Sequence, residues 1–151
     1  MDDTAIPTSK LHRITLELDR AIEKEDIETA VSFFADNCVI EVLGLTLTGK
    51  DGARRWFKWL YRFLEEFKII PVMAMTEGNT IFEEYILDAK GDDGTVIKSK
   101  QAEVTVFDDN LEIKSLRIYF DRFDFASLVA KGIVAKGILR EITRTSLKGL
   151  I

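Results

Sequence analysis

The chain has 151 residues, 46% of them apolar and 31% charged, which is the length and balance of one globular domain rather than of a disordered segment. A net charge of −5 argues against a nonspecific nucleic-acid binder, and no run approaches the roughly 20 apolar residues of a membrane-spanning helix. Cys38 and His12 are the only residues of their kinds, so neither a disulfide framework nor a zinc set is expected.

The first predicted element is a helix over 9–25. Leu11, Ile14, Leu18, Ala21 and Ile22 recur at spacings of three and four, and Thr8 or Ser9 can cap it. A short second helix begins after Asp26, with Ile27, Ala30, Val31 and Phe34 turned inward. A strand over 38–43 follows, then a short extended piece over 45–48. A third helix is capped by Asp51 and carries Ala53, Trp56, Phe57, Leu60, Phe63, Leu64 and Phe67 on one long face until Pro71 stops it. Four strands are predicted over 71–76, 80–89, 99–107 and 111–121. The turns between them are Glu77-Gly78-Asn79, Gly91-Asp92-Asp93-Gly94 and Asp108-Asp109-Asn110, short enough to make the strands an antiparallel meander. A last helical segment starts near Phe125 and is weakened by Gly132 and Gly137. Helices followed by strands give an α+β domain with its helices on one side of the sheet.

Alternation decides which residues travel together on a strand but not which face is inside. Ser115, Arg117, Tyr119 and Asp121 oppose Leu116, Ile118 and Phe120, and Gln101, Glu103 and Thr105 oppose Ala102, Val104 and Val106. Glu84 and Ile86 oppose Glu83 and Tyr85. The apolar faces can be core, as in most half-exposed antiparallel sheets. Alternatively the polar faces line a concave pocket, with the apolar faces packed against a second subunit.

The order of elements adds to this reading. Two helices end in Phe33-Phe34-Ala35-Asp36-Asn37; a strand and a Gly49-Lys50-Asp51-Gly52 turn lead into the aromatic helix; the meander closes on Arg117-Ile118-Tyr119-Phe120-Asp121. Over roughly 9–127 the chain resembles the nuclear transport factor 2-like superfamily, and within it the SnoaL-like polyketide cyclases and limonene-1,2-epoxide hydrolases. The resemblance implies a cone-shaped curved antiparallel sheet wrapped around about three N-terminal helices, with a pocket for a hydrophobic small molecule. It matches Asp121 to those families' acid or base aspartate and turns Glu84, Gln101 and Glu103, with Tyr119, toward the pocket. The epoxide hydrolases' Arg–Asp pair falls on Glu84 and Ile86, and their water-holding Tyr and Asn fall on Ile40 and Val42, so that water-activating set is not intact. The steroid isomerases' general-base aspartate falls on Val42 and their first-helix tyrosine near Leu18.

The resulting expectation is an acid/base enzyme of isomerase, cyclase or hydrolase type that uses no metal or cofactor. Asp121, Glu84 and Glu103 are its candidate catalytic residues, since carboxyls sharing an apolar cavity are pushed toward neutrality and can move protons. Tyr119, Gln101, Ile40, Val42, Trp59 and Phe63 are the candidate pocket residues. Arg117 can pair with one of the carboxylates, and His12 is read as an exposed flank residue. The alternative is a ligand-binding or dimerisation module of the same fold. The domain is expected to span 1–130. Residues 131–151 form a basic amphipathic tail of net charge +4 that docks on the domain or a dimer partner in preference to an anionic membrane. A homodimer through the convex sheet face, no nucleic-acid partner and a cytoplasmic location complete the expectations.

Overall fold

The computed structural model describes residues 9–150. Its elements are α1 (Lys10–Glu23), α2 (Ile27–Ser32), β1 (Phe34–Val42), β2 (Leu45–Thr48), α3 (Gly49–Phe63), β3 (Glu66–Glu77), β4 (Thr80–Lys90), β5 (Val96–Phe107), β6 (Ile113–Phe120), α4 (Arg122–Val129) and α5 (Gly132–Ser146). The six strands form one curved, unclosed sheet in the order β2-β1-β6-β5-β4-β3. Every pairing is antiparallel except β1 with β6, which run parallel. That exception follows from topology, because the chain leaves β2 for the helix and meander and returns to β1 only through β6.

Local chemistry sets the helix starts. The Ser9 hydroxyl accepts from the His12 amide at 3.1 Å, and the Asp26 carboxylate accepts from the Thr29 amide at 3.1 Å. Thr48 rather than Asp51 is the N-cap of α3, and it makes no side-chain capping bond. There Gly49, at φ +68°, supplies a left-handed entry that a side chain would strain, with the Asp36 carbonyl only 3.1 Å from where a Cβ would sit.

Helix α3 is shorter than its aromatic face suggests. It ends at Phe63, and Phe67 and Pro71 both lie within β3. Pro71 is tolerated there because β3 is an edge strand and the register shifts between Pro71 and Met73, a bulge at which a missing amide hydrogen costs no ladder bond. Phe34 likewise opens β1 instead of closing α2. The final helical stretch is two helices, broken where Gly132 adopts φ +84°. None of the described residues of α5 is buried, and Ile133, Val134 and Ile138 stand exposed on it.

The core lies between the concave side of the sheet and α1–α3. Phe34, Ile40, Phe57, Ile81, Phe107 and Ile113 are each at most 1% exposed, and Phe34 meets Phe57 edge-on at 6.0 Å. A second cluster is built on Leu60, Leu87, Phe125 and Leu128. Among the described residues no helix is long and apolar enough to cross a membrane.

Candidate active site

A cavity of about 50 Å³ opens between the two clusters. The strand parities that reach it differ from one strand to the next. On β5, Gln101 and Glu103 point inward, so the polar face of that strand lines the pocket. On β6 the apolar set Leu116, Ile118 and Phe120 points inward instead. On β4 the inner set is Ile81, Glu83, Tyr85, Leu87 and Ala89, held there by the packing of Ile81, Leu87 and Ala89 beneath the helices. Trp56, Trp59 and Leu60 of α3 form one wall, and Leu18, Asp19 and Ile22 of α1 form another.

Asp19, Tyr85 and Glu103 therefore meet in a chamber whose other lining residues, apart from Gln101, are apolar or aromatic. Burial, with added repulsion from Glu83, pushes the Glu103 carboxyl up to about 8. Burial also holds Asp19 well above the usual carboxylate range, reinforced by the charges of Glu103, Glu83 and Glu23. Asp19 accepts no side-chain or backbone hydrogen bond from the described residues that would offset this. Tyr85 is raised by burial and then by Glu103 and Asp19, so it stays a neutral phenol.

A hydrogen-bonded chain runs through the site. The Tyr85 hydroxyl lies 3.1 Å from Gln101 Oε1 and 3.3 Å from Glu103 Oε2. Gln101 Nε2 donates to Ser99 Oγ at 3.2 Å, and Ser99 Oγ donates to Asp124 Oδ2 at 2.7 Å. A phenol has one proton to give. The Tyr85 hydroxyl therefore serves one of two acceptors at a time, Gln101 Oε1 or Glu103 Oε2. Its bond to Glu103 and one from the Thr105 hydroxyl at 3.5 Å pull that carboxyl's pKa down, against the larger upward effect of burial.

A second buried group adjoins the first. Glu83 lies directly opposite Glu103 across β4 and β5 and accepts from the Thr15 hydroxyl at 2.9 Å. His12 Nε2 stands 3.6 Å from Glu83 Oε1 and is buried with no hydrogen-bond partner among the described residues. Burial raises the Glu83 carboxyl as well.

Of the residues singled out from the sequence, Glu103, Gln101 and Trp59 line the cavity. The others do not. Glu84 has the wrong parity; it faces outward between Met73 and Ala102. Tyr119 is 55% exposed on the convex face, because the inner positions of β6 go to Ile118 and Phe120. Asp121 follows the end of β6, is exposed, and uses its carboxylate to cap α4, accepting from the Phe123 amide at 2.9 Å. Ile40 and Val42 are buried in the core below the cavity rather than on its lining, and Phe63 sits behind Trp59, edge-on at 5.4 Å. Arg117 is on the opposite face from Glu103, so the two cannot pair. His12 is more enclosed than an exposed flank residue. Asp19, Glu83 and Tyr85 were missed. Their signal was present: Asp19 neighbours Leu18 and lies three residues before Ile22 on the apolar stripe, while Glu83 and Tyr85 share the parity of Ile81 and Leu87.

A family model described as SnoaL-like domain matches residues 16–113. No curated protein shows significant sequence similarity to the chain. Solved structures give the fold. One is the epoxide hydrolase/cyclase-like enzyme SalBIII of pyran ring formation in the polyether salinomycin, 20% identical, with TM-score 0.68 over 76% of this chain and 93% of that one. Another, from Shewanella putrefaciens, is described as a SnoaL-like polyketide cyclase and is 12% identical, with TM-score 0.69 over 81% and 97%. A third, a protein of ketosteroid isomerase-like fold from Catenulispora acidiphila in complex with trimethylamine, is 16% identical, with TM-score 0.69 over 76% and 90%.

Proposed function

Because the chain belongs to the SnoaL-like domain family, whose cone encloses a pocket, we propose that it is an enzyme that moves protons on a small, largely apolar molecule held between Asp19 and Glu103. The observation that carries this reading is the Glu103 carboxyl, raised to about 8, on the cavity wall beside Tyr85. Asp19 and Glu103 cannot both ionise cheaply, so ionising one holds the proton on the other. The neutral carboxyl donates to an oxygen of the substrate as charge develops there, and the ionised one removes a proton from carbon. Tyr85 holds Glu103 in place, and the aromatic walls exclude water. The step is the common core of isomerases, cyclases and ring-opening enzymes. No metal or cofactor enters it.

The test uses a probe small enough for the site. In deuterium oxide the protein should accelerate exchange at the carbons beside the carbonyl of acetone, and Glu103→Gln should lower that rate about 100-fold, in line with general acid–base contributions. An unchanged rate in Glu103→Gln would falsify the assignment.

The size of the cavity favours a second reading. Roughly 150 Å³ of apolar space admits benzene, whereas aromatic side chains leave only about 50 Å³ here. A terpenoid or polyketide therefore enters only if Trp59, Phe120 and Phe125 move; all three also border an outer cleft of about 430 Å³ beneath α4 and α5. If they stay fixed, the domain is a binding or dimerisation module.

The convex face bears on assembly. Met73, Glu84, Ala102 and Tyr119 form one cross-strand row, and Met75, Phe82, Val104 and Arg117 form the next. Met75 is 56% exposed, and Arg117 Nε is buried with no partner among the described residues. A second copy of the chain laid on this face would cover the apolar rows and offer acceptors to Arg117. A cytoplasmic setting suits the lone buried thiol of Cys38.

A further inference from the structure

The cavity has an uncompensated sign. Two carboxyls, Asp19 and Glu103, open onto it, and a third, Glu83, lies beside Glu103. Among the described residues the lining contains no lysine, arginine or histidine. From α1 the groups facing the carboxyls are Asp19 itself, with Glu23 near it and His12 beside Glu83; from β4 they are Glu83 and Tyr85; from β5, Glu103 and Gln101. The positions that α3, β3, β6 and α4 contribute are all apolar or aromatic. Arg117, the nearest arginine in the β6 sequence, is on the other face of the sheet.

The walls also suit a positive charge. Trp56 and Trp59 stack at 5.2 Å with an interplanar angle of 15°, and Phe120 meets Phe125 edge-on at 5.0 Å. Aromatic faces attract cations, tryptophan most of all, and more strongly where water is excluded. An inorganic ion does not fit this description, because no cluster of three or more metal-ligating side chains exists among the described residues. Apart from Tyr85 and Gln101, the rest of the lining that the carboxyls share is aliphatic and aromatic carbon, which suits an organic cation with methyl or methylene groups around its nitrogen. Volume limits its size. A water needs about 10–15 Å³ of such space, so about 50 Å³ holds a group of roughly four heavy atoms.

We infer that the cavity binds a small organic ammonium group, held by Asp19 and Glu103 against the tryptophan wall. This rests on the reading of the cavity as a ligand site and names the class of ligand it takes: an alkylamine, or the amine end of a larger substrate. The bound cation supplies the charge the carboxyls lack. Binding therefore favours their ionised forms, and a proton leaves the protein as the ammonium enters.

The experiment compares isopropylammonium with propan-2-ol, which match in shape and differ in charge. Titration calorimetry of the full chain is run between pH 6 and 9 in buffers of different ionisation enthalpy. The expected result is at least tenfold tighter binding of the ammonium. Its affinity should rise with pH up to about 8, and binding at pH 7 should release protons. Asp19→Asn and Glu103→Gln should each weaken the ammonium at least tenfold and leave the alcohol within about threefold. Trp59→Leu, which keeps both carboxyls, should weaken the ammonium more than the alcohol. If the variants fail to fold, the affinity ratio and proton release of the wild-type chain decide the matter alone. Alcohol binding as tight as ammonium binding, or ammonium binding without proton release, overturns the cation assignment and leaves the proton-transfer reading standing. Binding of neither overturns both.

Discussion

Replacing Glu103 by glutamine removes the titrating group while keeping its shape and its contact with Tyr85. The folded-state pKa of Glu103 lies above its ordinary value of 4.5, at about 8. Between those two values the folded chain holds a proton that the unfolded chain has lost. Stability is therefore fully present below about pH 4.5 and falls as pH rises through about 8, after which it is level. At about 1.4 kcal/mol per unit, the full shift corresponds to an upper bound of about 4–5 kcal/mol. Glu103 retains some accessible surface toward the cavity, so water screens the charge, and about 2 kcal/mol is the more realistic loss. In a chain of this length that is a fall of about 4–8 °C in Tm. Urea unfolding at pH 5, 6, 7 and 8 should show the wild type weakening across the series and Glu103→Gln weakening much less, with the gap between them widening by about 2 kcal/mol. Asp19 and Glu83 carry the same sign and will leave the variant a smaller residual slope. Parallel pH profiles for the two proteins would refute the argument that Glu103 is a buried, protonated acid.

Asp121→Ala removes the cap of α4 and should cost about 1 kcal/mol in urea unfolding. Acetone exchange should stay within about twofold, because Asp121 does not reach the cavity. Trp59→Ala should open the cavity toward the cleft beneath α4 and α5 at a cost of about 3 kcal/mol, near the low end for large-to-small changes. Calorimetry with a ligand of benzene size should then detect binding that the wild type lacks. Met75→Glu places a charge in the apolar convex rows, so light scattering at micromolar concentration should give a dimer mass for the wild type and a 17.2 kDa monomer for the variant. A wild-type chain that is already monomeric would remove the case for a paired sheet face.

What could be read from the chain alone was whatever local chemistry or short-range periodicity decides. Ser9 and Asp26 announced their helices because a side-chain oxygen in front of an amphipathic stripe can satisfy free amides. Gly78 announced the β3–β4 hairpin, at φ +58°, because a glycine at the first central position suits such turns. The order of these elements, with the motifs at Phe33–Asn37 and Gly49–Gly52, was enough for the family resemblance and the cone. Glu103 and Gln101 lie on the cavity lining, on the side of their strand that the resemblance turned inward.

The rest depended on tertiary structure. A strand's alternation is unchanged when its two faces are exchanged, and β4 carries a glutamate on each: Glu83 inward, Glu84 outward. Only the packing of Ile81 and Leu87 against the helices distinguishes them. Pro71 reads as a helix stop until the sheet makes β3 an edge, where a proline is harmless. Asp19 looked like one polar residue beside an apolar stripe. Its surroundings depend on Glu103, 84 positions later, and on a wall that holds no lysine, arginine or histidine among the described residues. A carboxyl's pKa and reactivity belong to its surroundings, and here those surroundings are assembled from α1, α3, β4, β5 and β6 only when the chain has folded.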